Sequence, residues 1–160
     1  MSIITGLLVL IFNDGSYKIA HADNVTTQTV NYVIGNVHEI EITGGARTLT
    51  VVPPAAGDPI ANVTDAVSTY AITSNGANQV ITGEIDTDMP AETSLGITLA
   101  PPTGGNSLGQ IVLNTTAQIL VDGIIPVVDA TSSITYELAA NVNATLVSAG
   151  KTVTLTVTPE

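Results

Sequence analysis

The sequence predicts an all-β protein, an antiparallel β-sandwich of immunoglobulin-like or jelly-roll-like type with about 8–10 short strands. Three observations lead to this fold class. Apolar and polar residues alternate with a period of two along much of the chain, turn residues interrupt the alternation at short intervals, and no long stretch shows the 3.6-residue period of a helix. The 160 residues, rich in Val, Ile and Thr, are enough for one domain with its own core.

The N-terminal region has two interpretations. Residues 3–12 form an apolar run that is too short to span a bilayer, and a small-x-small triplet, Ala-His-Ala, follows at 20–22. The region is therefore either a secretory signal peptide cleaved after Ala22 or an N-terminal strand ended by the Asn-Asp-Gly turn at 13–15. No Lys or Arg precedes the run, which speaks against the signal peptide. Residues 23–160 are expected to form a single sandwich domain.

Strands are predicted one after another along this domain, each ended by Gly, Pro, Asn or Asp. Pro53 and Pro54 end the third strand because proline cannot donate to a ladder. The Pro- and Gly-rich segments 53–59 and 101–109 are predicted loops at the ends of the sheets, where binding sites of sandwiches lie. The predicted strands are residues 25–34, 38–42, 48–52, 67–73, 79–85, 94–99, 111–114, 118–121, 133–138 and 152–158.

The last two strands have the strictest alternation, which predicts a half-buried antiparallel pair. On each strand the apolar residues share one face, and Glu137 and the threonines share the other. A slip of one residue would exchange the two faces completely. The residues predicted to be core are Tyr136, Leu138, Val153, Leu155 and Val157.

Charge and composition exclude several kinds of partner. The net charge is −11, and the three basic residues cannot form a patch that follows phosphates, so nucleic acid is not an expected partner. The chain has no cysteine, which excludes disulfides and Cys-ligated zinc. No integral membrane span is expected in the mature chain.

Glu84, Asp86 and Asp88 are the candidate metal ligands. On an extended chain these three carboxylates lie on one face, and closely spaced carboxylates are stabilised by a hard cation such as Ca²⁺. Calcium is the one cofactor that the sequence suggests. The alternative is a solvated sheet edge, where the charges prevent pairing with another sheet.

No group of residues has a catalytic signature, so the chain is not expected to be an enzyme. The two histidines are accompanied by no Gly-x-Ser-x-Gly turn, and four Tyr and one Phe are too few to line a sugar-binding cleft. His38 beside Glu39 and Glu41 is a weak candidate ligand. Asn-x-Thr triplets are candidate glycosylation sites of an exported protein, at Asn24, Asn62, Asn114 and Asn143.

Residues 67–160 carry a resemblance to known proteins. Ser68-Thr69-Tyr70, the Gly-Gly-Asn-Ser-Leu-Gly run at 104–109, Leu120-Val121-Asp122-Gly123-Ile124 and the two alternating C-terminal runs resemble secreted prokaryotic β-sandwich proteins of surface or fimbria-like type. The resemblance implies an extracellular or cell-surface location and a structural or adhesive role. It also implies that neighbouring subunits are joined by an N-terminal strand lent to the next subunit's open sheet.

The predicted function is therefore that of a self-assembling filament, pilus or surface-layer subunit whose partners are copies of itself. The side chains predicted to fill a groove in the neighbouring subunit are those of Val25, Val30, Val33 and Ile34, or apolar side chains from Ile3 to Phe12 if that run is retained. The alternative is a monomeric, surface-displayed module that binds Ca²⁺ or carbohydrate.

Overall fold

The computed structural model describes residues 25–145 and 148–160, and the chain divides into two units, Met1–Ile34 and Gly35–Glu160. In the first unit, residues 25–34 form no strand, and their large apolar side chains are exposed. The prediction of a strand over 25–34 is therefore wrong for the isolated chain. The signal peptide or strand predicted within residues 1–22 lies outside the described residues.

The second unit is a β-sandwich, which confirms the predicted fold class. Its described residues contain ten strands and no helix, and all strand pairs are antiparallel. One sheet has the order β1-β3-β9-β5-β7, with β2 beside β9, and the other has the order β10-β4-β8-β6. The strands are β1 His38–Thr43, β2 Val63–Asp65, β3 Thr69–Ser74, β4 Gln79–Ile85, β5 Thr93–Leu99, β6 Asn106–Ser107, β7 Ile111–Val112, β8 Gln118–Ile124, β9 Val127–Ala140 and β10 Val153–Pro159.

β9 and β10 lie in different sheets, so the prediction that they pair with each other is wrong. β9 has 14 residues. β3 and β2 share one of its edges, with Thr69 opposite Ser133 and Val63 opposite Leu138, and β5 pairs with residues 134–140 on the other edge. β10 pairs with β4 in the second sheet.

The predicted faces are confirmed on β10 and, for Tyr136, on β9, whereas Leu138 is not part of the core cluster. Tyr136 and Val157 are buried, and Leu138, Val153 and Leu155 are half-buried. The threonines at 152, 154 and 156 are exposed, and Glu137 is half-buried. The core between the two sheets consists of Tyr70, Ile72, Ile81, Ile85, Leu95, Ile97, Leu99, Leu113, Leu120, Val121, Ile124, Ile134, Tyr136 and Val157.

Residues 48–52 do not form the predicted strand. They keep the two-residue alternation, since Leu49 and Val51 are half-buried while Thr48, Thr50 and Val52 are exposed. However, no neighbouring strand offers them a ladder. A strand needs a hydrogen-bonding partner as well as a pattern, and this segment has only the pattern. The short strands β2 and β6 were not predicted.

Candidate functional site

The outer edges of the two sheets differ in how they are protected. Among the described strands the edges are β1 and β7 in one sheet and β10 and β6 in the other. β6 and β7 have two residues each, and β1 carries Glu39 and Glu41. β10 has seven residues, no charged side chain, no proline before Pro159 and a continuous register with β4. It lacks the charges, internal prolines and bulges by which many edge strands avoid pairing with other chains.

The backbone groups on the open side of β10 follow from its register with β4. Asp86 N donates to Thr152 O at 3.1 Å, and Glu160 N donates to Asn78 O at 3.0 Å, in the same register as the strand pairs between them. Hydrogen bonding alternates along an antiparallel strand, so the even-numbered residues bond to β4. The odd-numbered residues from 153 to 157 therefore direct their N–H and C=O groups outward. Within the described ranges, no backbone group bonds to them there.

The same odd-numbered residues also face the core with their side chains. Val153 and Leu155 are half-buried and contact the core cluster, and Val157 belongs to it. A strand added beside β10 would thus gain backbone hydrogen bonds, and its own inward side chains would continue the apolar layer.

A cleft of about 220 Å³ opens next to this edge, between β1 and β10, and its lining combines apolar side chains with those of Arg47, Ser68 and Lys151. Ile42 of β1 and Val153 of β10 form its sides, and Leu95 and Tyr136 come from the first sheet. Burial raises the pKa of Tyr136, and the nearby charge of Asp65 acts in the same direction. The cleft is therefore a place where apolar side chains can be added to the existing core.

Residues 45–52 lie over this cleft, and Leu49 is one of its lining residues. An ion pair holds the segment: Arg47 Nη2 lies 2.7 Å from Asp65 Oδ2, and Arg47 Nε donates to Asp65 Oδ1 at 3.1 Å. The hydrogen bonds to Arg47 lower the pKa of Asp65, and the same pair raises the pKa of Arg47. Asp65 Oδ1 also accepts a hydrogen bond from Val67 N at 3.2 Å.

The predicted metal ligands lie where β4 ends. Glu84 is half-buried within β4, whereas Asp86 and Asp88 follow the strand and are exposed. Asp86 Oδ1 accepts a hydrogen bond from Thr152 N at 3.1 Å, and Asp88 Oδ1 accepts one from Thr115 Oγ1 at 3.2 Å. In the part of the chain that is described, no three acidic or histidine side chains form a group that could hold a metal ion. Calcium binding here stays a prediction.

Lys151 connects this acidic loop to the start of β10. Its Nζ donates to Thr87 Oγ1 at 2.7 Å and to the backbone oxygen of Asp88 at 2.6 Å. Together with the Asp86–Thr152 contacts, these bonds fix the beginning of β10 against the end of β4. These bonds, made by Lys151 and Thr152, fix the position of β10 where the strand begins.

His38 lies on β1 beside a serine. Its Nδ1 is 3.2 Å from Ser74 Oγ, which also accepts a hydrogen bond from Gly76 N at 3.2 Å. Ser74 is buried, so a substrate cannot reach its hydroxyl group. The pair therefore has the geometry of a structural contact between β1 and β3.

The other predicted site residues are accessible where they are described. Asn62, Asn114 and Asn143 are exposed, and Asn24 lies outside the described residues. Val25, Val30, Val33 and Ile34 are exposed, as is Tyr32. Tyr32 was not among the predicted assembly residues. Its two-residue spacing from Val30 and Ile34 was the signal that could have identified it.

Searches of protein-family models, curated proteins and solved structures find no match to this chain. No helix in residues 25–145 or 148–160 is long and apolar enough to cross a membrane. In the described residues, fold and site together define an antiparallel β-sandwich in which the uncharged edge strand β10 lies beside a cleft.

Proposed function

We propose that the chain is an extracellular structural subunit that assembles with copies of itself by strand exchange. In this proposal, the segment 25–34 of one copy pairs with the open edge of β10 in the next copy. The observation that carries the proposal is the edge itself, which has seven residues and no charge. Its outward backbone groups at Val153, Leu155 and Val157 bond to no other backbone group of the described residues. Such an edge is expected to pair with another strand.

The segment 25–34 has the chemistry of the strand that this edge would accept. It contains no charged residue, and Val30, Tyr32 and Ile34 are spaced by two, so that an extended conformation places them on one face. These side chains are 74%, 83% and 79% exposed in the isolated chain. Burying them beside β10 would remove their apolar surface from water, which is a favourable term in association.

The geometry of such a contact favours a filament. The donor segment and the accepting edge are different surfaces, so each copy that accepts a strand still has its own strand to give. Only residues 35–37 separate the donor segment from β1, which limits the distance between the Cα atoms of Ile34 and His38 to about 14 Å. Consecutive subunits would therefore be held close together.

The net charge of the chain determines the salt concentration at which assembly should be measured. The net charge of −11 makes copies repel each other, whereas β10 and the segment 25–34 are uncharged. Repulsion therefore acts between the bodies rather than at the joint, and near-physiological salt screens it over about 8 Å. The exposed asparagines at 62, 114 and 143 are compatible with the proposed location outside the cell.

The test compares two double variants of the full chain by light scattering and electron microscopy at near-physiological salt. Thr156→Lys with Thr158→Lys places charges on β10, and Thr116→Lys with Thr131→Lys places the same charges at exposed positions off that strand. We expect the β10 variant to raise the critical concentration for assembly at least tenfold, about 1.4 kcal/mol per joint.

The control variant should assemble like the wild-type chain, because its added charges lie off β10. Since both variants have the same net charge, a difference between them reports the position of the charges. Equal assembly of the two variants would show that β10 is not the joint. A wild-type chain that stays monomeric at all concentrations would refute the proposed function itself.

A further inference from the structure

We propose that the cleft between β1 and β10 is the binding site for Val30, Tyr32 and Ile34 of a second copy. Residues 45–52 occupy the cleft until that copy binds. This inference rests on the proposed function and specifies its interface. The incoming strand would displace Leu49 from the cleft and take over its contacts.

Residues 45–52 have the features of a segment that an incoming strand can displace from the cleft. The sequence Thr-Leu-Thr-Val-Val at 48–52 alternates as a strand does, and Leu49 and Val51 turn inward. The segment nevertheless joins no ladder, although β1 and β10 are both open beside it. It therefore contributes apolar side chains to the sandwich without the backbone hydrogen bonds that would fix it there.

The Arg47–Asp65 ion pair is the contact that retains this segment. The two side chains are 29% and 15% exposed, so water and salt weaken their attraction. An ion pair of this kind can hold a segment in place and still release it when a competing strand arrives. The ion pair thus keeps residues 45–52 over the cleft until the second copy binds.

The exchange is favourable because the incoming strand makes contacts that residues 45–52 do not make. Its backbone can bond to the outward N–H and C=O groups of Val153, Leu155 and Val157. Its three apolar side chains replace Leu49, the one large apolar side chain that residues 45–52 contribute to the lining of the cleft. Ile42, Leu95 and Val153 of the cleft offer apolar contacts to these side chains, and Arg47 and Lys151 also line it.

The first experiment locates the donor segment by photo-crosslinking in the full chain. Tyr32 is replaced by p-benzoylphenylalanine, another aromatic residue, and a mixture of ¹⁴N- and ¹⁵N-labelled protein separates crosslinks between copies from those within one copy. We expect crosslinks between copies at Leu95, Tyr136 and Val153. Crosslinks between copies that avoid the cleft would overturn this inference and leave the proposed function intact.

The second experiment weakens the ion pair between Arg47 and Asp65. Asp65→Asn removes the charge that holds Arg47, and Asp122→Asn removes one charge at a carboxylate that accepts a hydrogen bond from Asn106 Nδ2 at 3.2 Å, away from the cleft. We expect Asp65→Asn to increase the yield of cleft crosslinks about fivefold and Asp122→Asn to leave it unchanged.

Equal crosslink yields in the two variants would overturn the inference that the Arg47–Asp65 ion pair retains residues 45–52 in the cleft. The absence of any crosslink between copies, in a protein that remains monomeric, would refute the interface and the proposed function together.

Discussion

β9 and β10 have the same sequence pattern, but β9 lies inside its sheet and β10 lies at the edge of the other sheet. Both alternate apolar and polar residues, and both turn their apolar side chains toward the core. β9 has neighbours on both edges, with β3 and β2 on one side and β5 beside residues 134–140 on the other. Among the described strands, β10 is paired only with β4. Alternation determines which face of a strand is buried, but it carries no information about how many neighbours the strand has.

The largest expected difference between the two strands is in stability. Ile134 of β9 is 0% exposed, so Ile134→Ala should lower the free energy of unfolding by about 2–5 kcal/mol, through lost burial and a cavity. Urea unfolding measures this loss. Ser133→Ala, at an exposed neighbour on the same strand, is the control and should cost less than about 0.5 kcal/mol. A similar loss for both variants would contradict the central position of β9.

A pH-dependent loss of stability is expected beside β9. Burial raises the pKa of Tyr70 to about 12, although the Ser132 hydroxyl group acts in the opposite direction, and the Tyr70 hydroxyl donates to Ala100 O at 2.6 Å. The folded pKa exceeds the ordinary value of 10.0, so this contribution is complete below pH 10 and is lost as the pH rises through about 12.

Unfolding measured across this range should show a decline on the order of 2–3 kcal/mol. Tyr70→Phe should make the decline smaller, and the remaining part belongs to other tyrosines such as Tyr136, whose pKa is also raised. An unchanged slope in Tyr70→Phe would show that Tyr70 does not cause the decline.

The smallest effects are expected on β10. Leu155 is only half-buried at this edge, so Leu155→Ala should cost about 1–2 kcal/mol, less than the loss expected on β9. Thr154→Ala, at an exposed position, should cost less than about 0.5 kcal/mol. Chemical denaturation of both variants measures the difference. Equal losses at 154 and 155 would contradict the assignment of faces on this strand.

Much of the sandwich could be predicted because local patterns specify strands strongly. The period of two located β1, β4, β5 and β10 to within one or two residues, and it assigned the inward residues of β9 and β10 correctly. It failed at 48–52, where the pattern is present and a partner is missing. It also missed β2 and β6, which have three and two residues and owe their conformation to the longer strands beside them.

The candidate site could be predicted only in part. The apolar character of the segment 25–34 was visible in the sequence, and it led to the prediction of an assembly strand. The edge that would receive it was not visible, because an uncharged strand such as β10 has the composition of a central one. The contact between Arg47 and Asp65 joins residues that are 18 positions apart, and no local pattern connects them.

The sequence by itself determined that the chain forms antiparallel strands, and it determined which side of the main strands faces the core. Both properties follow from the alternation of side chains along a single strand. Only the tertiary structure decided that β9 and β10 belong to different sheets, that β10 is an edge, and that a cleft opens between β1 and β10. Strand order depends on which hydrogen-bonding edges remain free after all other strands have paired, and that competition involves the whole chain.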